Sequence, residues 1–258
     1  MHQISTAPSP VKPAPFALAR SAALVLGLLC ALTDRASAQL EIPPAVYPKL
    51  AAEAADIAGF VPSGWIVEAQ ASTDFNRDGA PDLVFVLRQK DPRNVIDNKG
   101  GLGVSSLDTN PRIVAAAFKT STGYRLALEN QALIPRNDNS TVDDTFDAQG
   151  GLSAERGSFK ILLTFFASAG SWEMGPRTLT FRLQGKDFVL IGYDRTSVTR
   201  STGKLTTISI NYLTGRMLTQ TGTISSDDTT KSWKTLPKRP PPTIAEVGDG
   251  MEFDPLGR

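Results

Sequence analysis

From Trp65 to Pro237 the chain is a succession of short apolar runs separated by turn residues, and several of the runs alternate with a period of two. Strand side chains point to opposite faces in turn, so such a run buries one face and wets the other. Leu179, Phe181 and Leu183, interleaved with Thr178, Thr180 and Arg182, show this most clearly. A first group of strand-like runs covers Trp65–Ala69, Leu83–Leu87, Arg112–Phe118 and Tyr124–Leu128, with a hairpin signal at Thr120-Ser121-Thr122-Gly123 between the last two. A second group covers Phe159–Phe166, Arg177–Leu183 and Phe188–Tyr193, with the turn Gln184-Gly185-Lys186 between the latter pair. A last hairpin pairs Lys204–Ile210 with Arg216–Ile224 around Leu213-Thr214-Gly215. Only Val46, Leu50, Ala54 and Ile57 recur at helical spacing, closed by Gly59, which predicts an amphipathic helix at about 45–59. The expected fold is mainly β, with antiparallel meander and hairpin sheets and one N-terminal helix.

Residues 1–38 read as an export signal. Arg20 precedes an apolar run, Ser21–Leu32, which is shorter than the roughly 20 residues a membrane span needs. Ala36-Ser37-Ala38 then supplies the small residues of a cleavage site before Gln39. A periplasmic or secreted location is therefore expected, and no second apolar run predicts a membrane span. His2 and Cys30 both lie inside this segment, so the remaining 220 residues, 39–258, contain neither His nor Cys. That removes serine–histidine and cysteine–histidine catalysis, the usual zinc ligands and disulfides from the mature chain's repertoire. The same residues carry 24 basic and 25 acidic side chains, without the basic excess of a nucleic-acid binder. A single β-rich domain is expected over 39–236. The run Pro237-Lys238-Arg239-Pro240-Pro241-Pro242 opens what reads as a loose Pro-rich tail at 237–258.

One segment carries chemistry: Asp74-Phe75-Asn76-Arg77-Asp78-Gly79-Ala80-Pro81-Asp82-Leu83. Calcium takes six to eight oxygen ligands on a tight turn. Asp74, Asn76 and Asp78 at alternate positions can turn inward, Gly79 permits the reversal, the Ala80 carbonyl offers a backbone ligand, and Asp82 closes the set. An EF-hand would place Glu at the twelfth position, which here is Phe85, and would have helices where strands are expected. The simpler alternative is an Asx-rich turn that needs no metal, since Asp, Asn and Gly favour turns in any case.

The loop resembles the FG-GAP (integrin-α-like) calcium repeat, D-x-N-x-D-G-x-x-D-L between strands. The resemblance covers about ten residues and implies a calcium ion held through Asp74, Asn76, Asp78, the Ala80 carbonyl and Asp82. Propellers built from that repeat carry several copies; this chain has one, so its sheets are expected to be blade-like without completing a propeller. A wider likeness, in Phe60–Ile66, the Asp74–Asp82 loop, Leu83–Leu87, Ala169–Trp172, Ile191–Asp194 and Ile210–Gly215, is to an uncharacterised family of exported bacterial proteins, which brings no activity with it.

Catalysis without His or Cys would fall to carboxylates, Lys, Tyr, Ser or a metal. Glu173, between glycines and beside Trp172, is the candidate acid for a hydrolase of envelope glycans, with Asp194 as a possible second carboxylate. The plainer alternative is a β-turn with a solvated Glu. The acidic stretch Asn137–Asp147 reads either as a second cation site or as a solvated loop. The leading expectation is an exported binding or interaction module, not an enzyme, with a structural calcium loop and an unknown protein or glycan ligand.

Overall fold

The computed structural model describes residues 40–257; the expected export signal at 1–38 lies outside them. Fourteen strands are present among the described residues: β1 Glu53–Ala54, β2 Trp65–Thr73, β3 Asp82–Gln89, β4 Val95–Asp97, β5 Ser106–Asp108, β6 Arg112–Thr120, β7 Gly123–Asn130, β8 Leu152–Glu155, β9 Ser158–Phe165, β10 Glu173–Gln184, β11 Asp187–Thr199, β12 Lys204–Asn211, β13 Arg216–Thr223 and β14 Ser226–Thr235. They form a five-stranded sheet in the order β1-β7-β6-β3-β2, a seven-stranded sheet running without a crossover from β14 to β8, and the small ladder β4-β5. All pairings are antiparallel. The expected mainly-β class with meander and hairpin sheets is what the chain adopts, and neither sheet closes into a barrel.

Two apolar layers explain the strand sequences. Val84, Val86, Val114 and Ala116 face the seven-stranded sheet and join Phe159, Ile161, Leu163, Leu179, Phe181, Phe188 and Leu190 in one buried core. On the other side of the same strands Phe85, Leu87, Ile113, Ala115 and Ala117 pack under Leu50, Phe60 and Trp65. β3 and β6 are thus covered on both faces, and they read as continuous apolar runs for that reason.

The cover over that second layer is the stretch expected to be an N-terminal helix at 45–59, and it is not helical. It runs without regular structure to β1 and then makes a 3-10 turn, Ile57–Phe60, whose amide at Gly59 donates to the Asp56 carboxylate. β1 pairs with β7, Glu53 opposite Arg125 and Ala54 opposite Tyr124, and Leu126 N donates to Ala52 O. An edge strand with free donors and acceptors competes with a short isolated helix, which is marginal by itself. Val46 stays 71 % exposed while Leu50 is buried, so the i, i+4 stripe does not form one face. Gly123 makes the approach possible: at φ 153°, a Cβ there would lie 2.3 Å from the Ala54 carbonyl oxygen. Gly123→Ala is expected to cost about 2 kcal/mol through that clash and the forced backbone. A thermal melt should show it as a drop of roughly 4–8 °C at this size.

The tail expected to be loose at 237–258 is exposed over 237–240 and then docks on the core through Ile244 and Val247. Leu190 N donates to Pro242 O, and Val189 bridges to Thr243 where β12 has not yet begun to pair with β11. A short helix, α1 Ile244–Val247, follows with a capping box between Thr243 and Glu246, and it buries Ile244 and Val247. Gly250 N then donates to Leu133 O, and the Tyr212 hydroxyl donates to Pro255 O. Prolines mark this segment as a stiff chain that loses little entropy on docking, and the apolar residues behind them anchor it.

Candidate functional site

The Asp74–Asp82 loop joins β2 to β3, and its order comes from hydrogen bonds within itself. Asp74 accepts from Arg77 N through Oδ1 (2.6 Å) and from Gly79 N through Oδ2 (2.9 Å). Asn76 Oδ1 accepts from Asp78 N (3.0 Å), and Asp78 Oδ1 accepts from Ala80 N (2.8 Å). These are successive Asx turns. They require left-handed backbone at Arg77 (φ 65°) and Gly79 (φ 90°), as expected for the glycine. Asn76 Nδ2 donates to Asp78 Oδ2 at 2.8 Å. The Ala80 amide and the Asn76 amide hold the Asp78 carboxyl below the usual carboxylate range.

Phe75 fastens the loop to the core. It is buried edge-on against Phe159 and Phe188, at centroid distances of 6.0 and 5.3 Å. Asp82 is the second fastening and is completely buried. Its Oδ2 accepts from Phe75 N (2.9 Å) and more weakly from Asn76 N (3.4 Å), while Oδ1 accepts from Lys119 N (2.8 Å) at the far end of β6. Asp82 therefore ties the loop's start to the adjacent strand. Of the five expected ligand positions, Asp74, Asn76, Asp78 and Ala80 lie in the outer part of the loop and Asp82 lies beneath it. Among the described residues no three acidic, His or Cys side chains already converge on a common point. The donor chemistry is nevertheless all oxygen, as a calcium site requires.

Glu173 opens β10 with a half-exposed side chain, paired with Arg195 Nη2 (3.1 Å) and the Ser197 hydroxyl (3.1 Å). It lines a groove of about 180 Å³ with Lys204, Thr199 and Thr206. Asp194 does not join it. Glu173 pairs with Thr199, five residues along β11 from Asp194, so the two carboxylates lie on opposite faces of the sheet. Trp172 is exposed, with the Arg200 guanidinium 5.9 Å from its ring; Arg200 also covers Phe166 and donates to the carbonyls of Ala167 and Ser171.

The stretch Asn137–Asp147 divides its acids between different tasks. Asp147 caps a turn toward Gln149, Asp143 is exposed, and Phe146 is buried in the core. Asp144 belongs to an ion network that no motif announced. Arg112, 2 % exposed, donates to both oxygens of Glu68 (2.6 and 2.9 Å) and both oxygens of Asp144 (2.9 and 2.7 Å). Arg88, directly opposite Arg112 in the β3–β6 pair, reaches Glu68 (3.1 Å) and Asp108 (2.9 Å). A bulge between Val67 and Ala69 lets Glu68 turn toward both arginines. Burial works against the charge on Arg112, but hydrogen bonds and the charges of Glu68 and Asp144 outweigh it and raise its pKa. The five residues are scattered from 68 to 144 on separate elements; a Glu within an apolar strand was the one available signal.

The chain matches no family model, no curated protein and no solved structure. The assignment of a role therefore rests on its own residues. No described helix is long and apolar enough to cross a membrane.

Proposed function

We propose that this is an exported binding module whose Asp74–Asp82 loop holds a structural calcium ion of the FG-GAP type. The observation that carries the reading is the loop itself: Asp74, Asn76 and Asp78 alternate on a tight turn with left-handed residues at 77 and 79, set between two strands. Asp74, Asn76, Asp78 and the Ala80 carbonyl would supply the oxygens, and Asp82, beneath them, would hold the turn in shape and offer a fifth. The ion would contribute positive charge where exposed carboxylates meet, bracing the turn. The export signal, the near-balanced charge and the lack of His and Cys favour binding a protein or glycan over catalysis. The split of Glu173 and Asp194 between two faces takes away the carboxylate pair first considered for a hydrolase.

The test is a thermal melt in EDTA and then in millimolar calcium, with magnesium as control. Extracellular calcium modules bind at about 0.1–1 mM, so an excess of ion is expected to stabilise the fold by about 1–3 kcal/mol. That is a rise of several degrees, at roughly 2–4 °C per kcal/mol. The double variant Asp74→Ala, Asp78→Ala should lose the rise. An unchanged melt in calcium, with no heat of binding by calorimetry, would leave the loop a metal-free turn.

A further inference from the structure

β14 is the exposed edge of the seven-stranded sheet, and all ten of its residues, Ser226–Thr235, are exposed on both faces. It contains no proline, and its outer row of backbone donors and acceptors has no neighbouring strand among the described residues. Such an edge is a template for another strand, and proteins ordinarily shorten it, cover it or charge it. Here the charges are arranged in two blocks, Asp227 and Asp228 at one end, Lys231 and Lys234 at the other. A copy approaching in parallel would meet acid with acid and base with base. An antiparallel copy meets acid with base.

Geometry narrows the pairing further. Two antiparallel copies at one edge are related by a two-fold axis perpendicular to the sheet, so each residue must meet a residue of its own face. Thr230 lies opposite Thr221 and Ser226 opposite Thr223, both on one face, while Lys231 and Trp233 lie with Gln220 and Leu218 on the other. β14 bulges here, with Asp227, Asp228 and Thr229 standing opposite Gly222 alone. Ser226 and Thr230 on either side share a face by their partners, and one step along from each, Asp227 and Lys231 fall on the other. Four self-pairings satisfy this rule near the strand's middle. Centred on Asp228 it sets Asp228 against itself; centred on Lys231 it sets Asp228 opposite Lys234 twice, but also Lys231 against itself. Centred on Thr230 it opposes no charges. Centred on Thr229 it places Asp227 opposite Lys231 of the second copy, twice by symmetry, with Asp228 opposite Thr230 and Ser226 opposite Ser232.

We infer that β14 pairs with β14 of a second copy of this chain in the antiparallel register centred on Thr229, joining two seven-stranded sheets into one. Cross-strand opposite charges favour a pairing and like charges oppose it. This assembly is independent of the calcium reading, since β14 edges the seven-stranded sheet and the loop joins β2 to β3 of the five-stranded one.

Sedimentation and light scattering of the purified protein across a concentration series are the test, with circular-dichroism melts confirming that each variant folds. The wild type is expected to form a dimer that weakens with salt. Asp227→Lys and Lys231→Asp should each raise the dimer dissociation constant about tenfold or more, because two attractive pairs become two repulsive ones. The combination Asp227→Lys with Lys231→Asp should restore it. An equimolar mixture of the two single variants should recover an affinity near that of the wild type, since both 227/231 contacts of the mixed dimer again oppose a lysine and an aspartate while each variant alone makes only like-charge contacts. A monomer at all concentrations would overturn the inference. So would a dimer that both single variants leave unchanged, because that dimer would use another surface.

Discussion

Asp82→Ala is expected to lower stability by about 3–5 kcal/mol in EDTA, without any calcium present. The carboxylate is fully buried and accepts from three backbone amides, those of Phe75, Asn76 and Lys119. Each buried amide left without an acceptor costs about 1–3 kcal/mol, and the longest of the three, at 3.4 Å, contributes least. Asp82→Asn should recover only part of the loss, because one of its two groups becomes a donor aimed at donors. The measurement is urea unfolding of both variants and the wild type in EDTA. If Asp82 mattered only as a calcium ligand, the variants would match the wild type there and differ only once calcium was added. The same comparison separates this residue from Asp74 and Asp78, whose partners are amides in the exposed turn and whose replacement should matter chiefly in calcium.

This division inside one motif shows what a sequence can and cannot convey. Spacing identified the loop, its glycine and its flanking strands, because those follow from local backbone requirements. It could not separate a residue that faces solvent from one that faces the core, since Asp82 is buried by β6, a strand some thirty residues further on. The strands were legible for the same local reason, period-two alternation and turn residues. Where strands are covered twice, as in β3 and β6, the run is continuous and still recognisable. The segment at 45–59 misled because its apolar spacing fits a helix, while the deciding partner, the free edge of β7, is remote. The tail at 237–258 misled because prolines dominate its composition and the anchors Ile244 and Val247 are few. The Glu68–Arg112–Asp144 network left almost no trace, since ion pairs between distant elements have no period.

Arg112→Ala is expected to be as damaging as any single change in this protein, at about 3–5 kcal/mol, or a melting temperature roughly 10 °C lower. The guanidinium is 2 % exposed and satisfies both oxygens of Glu68 and of Asp144. Removing it leaves Glu68, 8 % exposed, with Arg88 alone. The penalty is the stranded carboxylate more than the lost attraction, because two charges taken from water gain little over water when paired. It follows that the pair is replaceable as a unit. Arg112→Met together with Glu68→Met should recover more than half of the loss, because Asp144 can still lean on Arg88, now 3.8 Å away. A double variant as unstable as Arg112→Ala would show instead that the network's geometry is needed to hold β2, β5, β6 and the 137–147 loop together. On the first outcome the ions serve to fix how these elements meet; their pairing adds little to how tightly the chain folds. Glu68 can reach both arginines only from the bulge at Val67–Ala69, and an unbulged β2 would leave Arg88 and Arg112 facing one another without it.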